Sequence, residues 1–486
     1  MTKKLPLFFL LFLPAGLQAQ QLAVTLSAPV TVTSGSTYGT TRPRIALAHD
    51  SVPVVCWGKS GTTVFVSQWN GSGFTSPVQI SPVGVSIYSG LPEGPDIAAK
   101  GDTVYVTYFS ASDSKVYLVR SFDGGTSWSD TLRVDQQDSL DSYSPVVEIG
   151  PGGNPYIAYE AATPSMGSPN QFFTRSTDAG TSFSPEVVAS SPALGQPCEC
   201  CTPALAVKDT SVMVLFRNNM SNIRECYISY SGNSGNSFQL PSQIDFSGWN
   251  ITNCPSSAPD MITVGDSVQA VWAARSGTTN KIFTGTWNFA TQQFGWNRFA
   301  DPNPPATTQA HPSVAGSNDT LAVVWDDLRN GNVDCWMSIS ISGVPGLNTL
   351  VQVNDSMNDG GTQNNVHLAY HNGLFHFVYT DLVTNSIIYR TGSISGFVGT
   401  NELQPEESIV QVFPNPADKE LLLRVNGANE KSRFRIFDAQ GRMIREELIE
   451  ANGNHRIGIS DLAAGVYSYR LTGDHAQAAG KFLVIH

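Results

Sequence analysis

Three cysteines stand within four positions of the segment "QPCECCTPALAV", at Cys198, Cys200 and Cys201. The chain has 486 residues and seven cysteines in all. Thiols this close suit one of three chemistries: disulfides, a thiolate metal site or a reactive centre. Neighbouring Cys200 and Cys201 are poor partners for each other, because the ring they would close strains the peptide. The choice depends on which elements carry the segment and what they bring near it.

The compartment bears on the same question. "MTKKLPLFFLLFLPAGLQAQ" places Lys3 and Lys4 before an apolar run and a small residue at Ala19. Residues 1–19 therefore read as a secretory signal peptide, too short in its apolar core to span a bilayer. No other stretch has membrane length, so we expect an exported chain with no transmembrane segment, whose thiols can be oxidised. The net charge of −12, with 43 Gly and 29 Pro, indicates a large turn-rich all-β protein. No basic stripe is present to neutralise phosphates, which argues against nucleic acid as a partner. Charge also divides the chain. Residues 21–400 carry 16 Lys+Arg against 28 Asp+Glu, and residues 401–486 carry 10 against 12. All cysteines and tryptophans lie before this break. Two domains are expected, 20–400 and 409–486, with a linker at 401–408.

Seven segments of the first domain share one pattern, among them "RPRIALAHDSVPVVCW", "GPDIAAKGDTVYVTYF" and "APDMITVGDSVQAVWA". Six open on a proline, at Pro43, Pro95, Pro145, Pro203, Pro259 and Pro312. A proline at a strand's first residue removes no ladder hydrogen bond. Each unit reads as a short strand, a polar turn and an alternating apolar strand, with a third and usually a fourth strand behind. Four strands repeated at this period predict a β-propeller. Counting units gives seven blades; six would make one unit a decoration. The seventh unit lacks a fourth strand, and "APVTVTS" (28–34) is a spare one that would close the ring.

The turns after three of the third strands read "SFDGGTSW", "STDAGTSF" and "SGNSGNSF". An Asp that accepts backbone N–H groups, a Gly in a conformation other residues resist and an aromatic plug make physical sense as a hairpin. These turns match the Asp-box (BNR) repeat. The chain resembles the sialidase-like Asp-box propellers over residues 21–400. The resemblance gives Ser121, Asp123, Gly125, Trp128, Ser176, Asp178, Gly180 and Phe183 a structural role on the face opposite the ligand.

Propeller loops alternate between faces, so the repeat register assigns residues to the ligand face. The loops between blades supply Tyr38–Arg42, Tyr88–Glu93, Cys198–Cys201, Trp249–Cys254, His311 and Asn364–Asn365. The loops between second and third strands supply Lys59, Glu160, Arg217, Asn218, Arg224, Arg275, Asp326, Asp327, Arg329 and Asp381. Cys254 then leads into the fifth blade where the "CECC" cluster leads into the fourth. Cys198, Cys200, Cys201 and Cys254 are read as two disulfides stapling neighbouring loops, with a thiolate metal site and a reactive thiol as alternatives. No metal or cofactor is assigned. Cys56, Cys226 and Cys335 fall inside strands, as buried side chains. His367 and His376 lack a third ligand and read as structural, and "NDSMNDGG" (354–361) reads as a turn.

What the sialidase resemblance implies is an arginine clamp on a substrate carboxylate, an acid/base Asp and a Tyr–Glu pair. Arg217 and Arg275 end equivalent strands of neighbouring blades. Asp327, Asp381, Glu160 and Tyr379 are the available catalytic partners. In "TTRPRI" Thr41 holds the place of the family's first arginine and Arg42 stands one residue out of register. For Asp327 and Arg329, "WDDLRNGNVDCW" also reads as a hairpin in which the two pair across the turn. A second use of the face is binding of glycans or surface proteins, with Arg42, Arg217, Asn218, Arg224, Trp249 and Arg275 as contacts.

Residues 409–486 alternate short strands with Gly and Asn turns, as in a small Ig-like β-sandwich. Pro414, Asn415, Pro416, Gly441, Gly465, Tyr467 and Lys481 carry a resemblance to the type IX secretion sorting domain throughout its length. It implies a host among the Bacteroidota, passage through the periplasm, and recognition of this module by an outer-membrane translocon. The expected product is a secreted or surface-displayed propeller. It is read first as a glycan or surface-protein binder, with a sialidase-like glycoside hydrolase as the alternative and a thiolate-metal enzyme behind both.

Overall fold

The computed structural model describes residues 21–485 apart from 36–40, 60–62, 91–92, 166, 192–194, 199–200, 318, 355–359, 399–409, 426–430, 439–441, 450–452 and 473–476. The expected signal peptide (1–19), Cys200 and Gly441 therefore lie outside the described residues. The chain divides into two compact units, one reaching Val398 and the other starting at Gly399.

Among the described residues the first unit contains seven antiparallel sheets, five of four strands and two of five. The first strands of the seven are Arg44–Ala48, Asp96–Lys100, Asp141–Ile149, Ala204–Lys208, Asp260–Val264, Gln309–Ser317 and Gln363–His371. Each packs on the next, and the seventh packs on the first, which closes a β-propeller. Seven apolar clusters fill the seams between sheets. The seam of the seventh and first blades holds Val32, Ile45, Val55, Trp57, Val378, Ile387 and Tyr389. Alternation in the sequence drives this packing, because each blade buries both faces against neighbours.

The closing strand is the spare one expected from the sequence. Val30–Ser34 pairs antiparallel with the seventh blade's third strand, Ser386–Val398. The same long strand also pairs with Gln21–Leu26, an element the repeat pattern did not mark. Chain ends from opposite sides of the unit thus share one sheet.

The turns after the third strands fold as expected. Asp123 Oδ1 accepts from Ser121 Oγ (2.8 Å), Thr126 N (3.1 Å) and Ser127 N (2.9 Å), and Asp178 repeats the set. These bonds hold the Asp178 carboxyl well below the usual range, through Ser182 first and Ser176 next. Gly235, in the third copy, has φ +80° and stands where a Cβ would meet Phe173 at 1.9 Å, so glycine is required. Trp128 is partly buried against the first and second blades and donates Nε1–H to Gly125 O at 3.0 Å.

The second unit comprises two antiparallel sheets, one of Val410–Phe413, Glu420–Val425 and Gly453–Gly458, the other of Met443–Ile449, Ser432–Phe437, Gly465–Thr472 and Gln477–Val484. Leu421, Leu423, Phe434, Ile436, Leu471 and Phe482 belong to its core. Asn415, between Pro414 and Pro416, accepts from Leu483 N (2.9 Å) and donates Nδ2–H to Lys481 O (3.3 Å). Tyr467 stacks on Phe482 and donates its hydroxyl to Ala463 O at 2.9 Å.

Candidate functional site

Two polar centres are built into the propeller, one on its axis and one where the fourth blade meets the fifth. The first strands line a cavity of about 500 Å³ that includes Arg42, Arg44, Asp96, Glu148, Asp260 and His367. Position determines these residues. Arg44, Asp96 and Asp260 each follow the proline that opens a first strand. Asp96 accepts from Val147 N and Asp260 from Val314 N, both at 3.0 Å, so each carboxylate ties its blade to the next. His367 Nδ1 accepts from Ile45 N at 3.3 Å across the closing seam. Burial, together with Arg44 and Arg42, holds this histidine neutral.

Arg42 is buried, and its Nε and Nη1 have no hydrogen-bond partner among the described residues. Burial lowers its pKa, against the opposing pull of Asp96, Asp260 and Glu93. Glu93 is raised by burial, with Ser144 and Arg42 acting the other way. Tyr88, which is 45 % exposed, is raised by partial burial and by Glu93. Beside them, His311 Nδ1 meets Asp326 Oδ2 at 2.7 Å, Asp326 accepts from Asn365 N at 3.1 Å, and Asn365 donates Nδ2–H to Thr41 O at 2.8 Å. This chain of contacts runs from the sixth blade to the first.

On the lining of the same cavity, burial pushes Glu148 up to about 8, assisted by Asp96 and Asp260. A carboxyl whose folded pKa lies above its unfolded value keeps a proton that the unfolded chain has already lost. Stability is therefore unaffected below about pH 4.5 and falls as pH rises toward 8. Glu148→Gln should remove that loss. Urea unfolding is expected to show the variant about 2–4 kcal/mol ahead of wild type at pH 8 and level with it at pH 4.5. Parallel pH profiles for the two proteins would exclude this account.

Among the described residues the second centre gathers Cys198, Cys201 and Cys254. The sulfurs of Cys198, Cys201 and Cys254 lie within 4.8 Å of one another. Arg224 donates Nη1–H to Cys198 Sγ at 2.6 Å and Nε–H to Ile251 O at 3.2 Å. Beneath them Arg217 donates to Arg224 O (3.1 Å) and Ala273 O (2.7 Å) and lies 5.1 Å from the Trp249 ring. Arg217, Asn218, Arg224 and Trp249 are at most 3 % exposed, so they stand inside the blade, not on its surface. The segment around Trp249–Cys254 covers them: Arg224 N donates to Trp249 O, and Ile251 N to Asn222 O, both at 2.9 Å. Arg275 is exposed and donates Nε–H to Gly277 O at 2.9 Å.

The remaining catalytic candidates are engaged elsewhere. Tyr379 is buried in the core between the sixth and seventh blades. Glu160 accepts from Gln171 Nε2 at 3.0 Å. Asp381 accepts from Gln363 Nε2, Val383 N and Thr384 Oγ1 within its own hairpin region. Asp327 accepts from Gln309, Trp325 and Arg329, the pairing across the turn read in the sequence. Cys56, Cys226 and Cys335 are fully buried in strands. Sequence reasoning missed Asp96, Glu148 and Asp260; the recurrence of Pro-Asp in "GPDIAA" and "APDMIT" was the available signal.

Known proteins compare as follows. No curated protein matches the chain. A Dyadobacter fermentans protein of unknown function is 14 % identical, with a TM-score of 0.43 over 76 % of this chain and 99 % of its own. A PL25 ulvan lyase is 8 % identical, with a TM-score of 0.49 over 77 % and 98 %. Trypanosoma rangeli sialidase is 10 % identical, with a TM-score of 0.41 over 96 % and 90 %. No helix among the described residues is long and apolar enough to cross a membrane. Residues 411–485 match the secretion system C-terminal sorting domain, and the chain is thus a β-propeller protein sent by the type IX route to the cell surface or beyond it.

Proposed function

We propose that the propeller binds glycans or surface proteins, taking an anionic group of the ligand at Arg42. The observation that carries this reading is a buried guanidinium with two nitrogens unpartnered among the described residues, on the wall of a cavity of about 500 Å³. A buried cation with open donors favours a carboxylate or sulfate, since a charge-assisted pair compensates its desolvation. Uronic and sialic acids and sulfated sugars carry such groups. The test is a glycan array followed by calorimetry on the secreted protein. Arg42→Ala is expected to weaken binding of an acidic glycan at least tenfold, with the unfolding midpoint compared to separate binding from folding. Equal affinity of variant and wild type would end the proposal for this residue.

A second reading, sialidase-like glycoside hydrolysis, is favoured by one juxtaposition: Glu93 interacts electrostatically with both Tyr88 and Arg42. A phenol, a carboxyl and a guanidinium are the group types this reaction needs. Turnover of sialosides that vanishes in Glu93→Gln would select it; no hydrolysis across a broad glycoside panel would leave the binding reading.

A further inference from the structure

Arg42 has an aromatic surface beside it, and two glycines set the spacing. A Cβ on Gly94 would lie 3.2 Å from both Arg42 Cβ and Ser89 Oγ, so the arginine and the serine flank one glycine. A Cβ on Gly58 would come within 2.1 Å of Ser89 Cβ, so the first blade leaves Ser89 a seat that only glycine allows. Ser89 Oγ is buried and without a hydrogen-bond partner among the described residues. The residue before it, Tyr88, is 45 % exposed. Its ring centroid lies 6.5 Å from that of Phe109, which lies 5.1 Å from that of Tyr143. Phe109 is buried and Tyr143 half-buried, so the three rings form a surface with Phe109 as its support.

We propose that Tyr88, Phe109 and Tyr143 form a second sugar subsite, which makes the ligand an acidic oligosaccharide: its charged unit sits at Arg42 and Ser89, and the neighbouring sugar lies on the rings. This rests on the reading of Arg42 as an anion site. Open donors on Arg42 and Ser89 suit the oxygens of one carboxylate or sulfate. One face of a pyranose ring is mostly C–H, and those slightly positive hydrogens are drawn to the negative face of an aromatic ring. An anionic group and an apolar ring face on adjoining units is the make-up of an acidic oligosaccharide. The cavity of about 500 Å³ beside Arg42 is of small-ligand size, which favours a chain of sugar rings over a protein surface.

The surface is preformed. Ile87 bridges to Ser110, Ala111 N donates to Ser86 O at 2.8 Å, and Ser86 N donates to Ser112 Oγ at 2.8 Å. These bonds tie the segment before Tyr88 to the end of the second blade's strand Thr103–Ser110. Tyr143 belongs to the third blade's first strand, and its hydroxyl is hydrogen-bonded to Asp141. Rings fixed before binding lose little freedom when a sugar lands on them.

The experiment uses the full secreted protein and two probe pairs: sialic acid with sialyllactose, and glucuronic acid with a hyaluronan tetrasaccharide. Each is titrated by calorimetry. In at least one pair the oligosaccharide is expected to bind about tenfold tighter than its acidic monosaccharide. Tyr88→Ala should bring that ratio close to one, and Tyr88→Phe should keep it, since the ring and not the hydroxyl makes the contact. Thermal midpoints of both variants check the fold. If Tyr88→Ala fails to accumulate, the wild-type ratio still decides. Arg42→Ala should weaken both members of the pair together. A ratio near one in wild type, or one that Tyr88→Ala leaves in place, would overturn the second subsite while the anion site stands. Equal affinity of Arg42→Ala and wild type, no binding of any probe, or binding of hexaglutamate alone would remove the glycan reading of Arg42 and this inference with it.

Discussion

Replacing Arg217 by alanine is expected to lower the stability of the propeller by about 3–5 kcal/mol, the range for breaking one side of a buried ion pair. The guanidinium is fully buried; burial works against its charge, and the Asp245 carboxylate is among the groups that offset it. Asp245 Oδ2 lies 4.0 Å away, and Arg217 is the first of the groups that hold the Asp245 charge against burial, ahead of Ser247. Removal also strands Ala273 O in the neighbouring blade and opens a void under Trp249. Urea unfolding of Arg217→Ala, Asp245→Asn and the double variant separates these effects. The double variant should recover part of the loss, because the stranded carboxylate is gone. Unchanged stability with lost ligand affinity would instead return Arg217 to the substrate clamp that its place at a strand's end suggested.

That contrast marks what was legible in the sequence and what was not. The repeated units and the Asp123 and Asp178 turns are local signals met in the fold; Pro43, Pro95, Pro203 and Pro259 stand just before a first strand, whereas Pro145 and Pro312 lie inside Asp141–Ile149 and Gln309–Ser317, at register shifts. The spare strand at 28–34 followed from counting, since a ring with one strand missing has to take it from elsewhere. Gln21–Leu26 gave no such signal: it fits no repeat and directly follows the stretch read as a signal peptide. Side-chain burial at loop ends was the harder problem. Register places Arg217 and Arg224 at the end of a blade, but whether they meet solvent depends on the course of 247–254, which no periodicity encodes. The axial carboxylates failed for the opposite reason. Asp96 and Asp260 look like turn residues beside a proline, and their convergence exists only once the ring is closed.

Arg329→Ala is the second variant expected to cost about 3–5 kcal/mol, by the same physical route but with a distinctive pH dependence. Arg329 Nη2 donates to Asp301 Oδ2 and to Asp327 Oδ2, joining the end of the fifth blade to the sixth. Both carboxylate side chains are 0 % exposed. Gln309 donates to the same two oxygens at 2.7 and 2.9 Å, Trp325 Nε1–H reaches Asp327 Oδ2 at 2.8 Å, and the guanidinium lies 4.1 Å from the Trp336 ring. Burial by itself would raise the Asp327 pKa, but the bonds from Arg329, Trp325 and Gln309 bring it below the ordinary value. A depressed carboxyl contributes stability that is present above its unfolded pKa and lost as pH falls through the folded one. Without Arg329 the two buried carboxylates face each other with one amide between them, and their proton affinity must rise. The deficit of Arg329→Ala should therefore be largest near pH 7 and shrink toward pH 4–5, where one carboxyl binds a proton and donates to the other. A deficit independent of pH would assign the loss to packing on Trp336. Full stability with lost turnover would make Asp327 the catalytic acid that the sialidase resemblance implied.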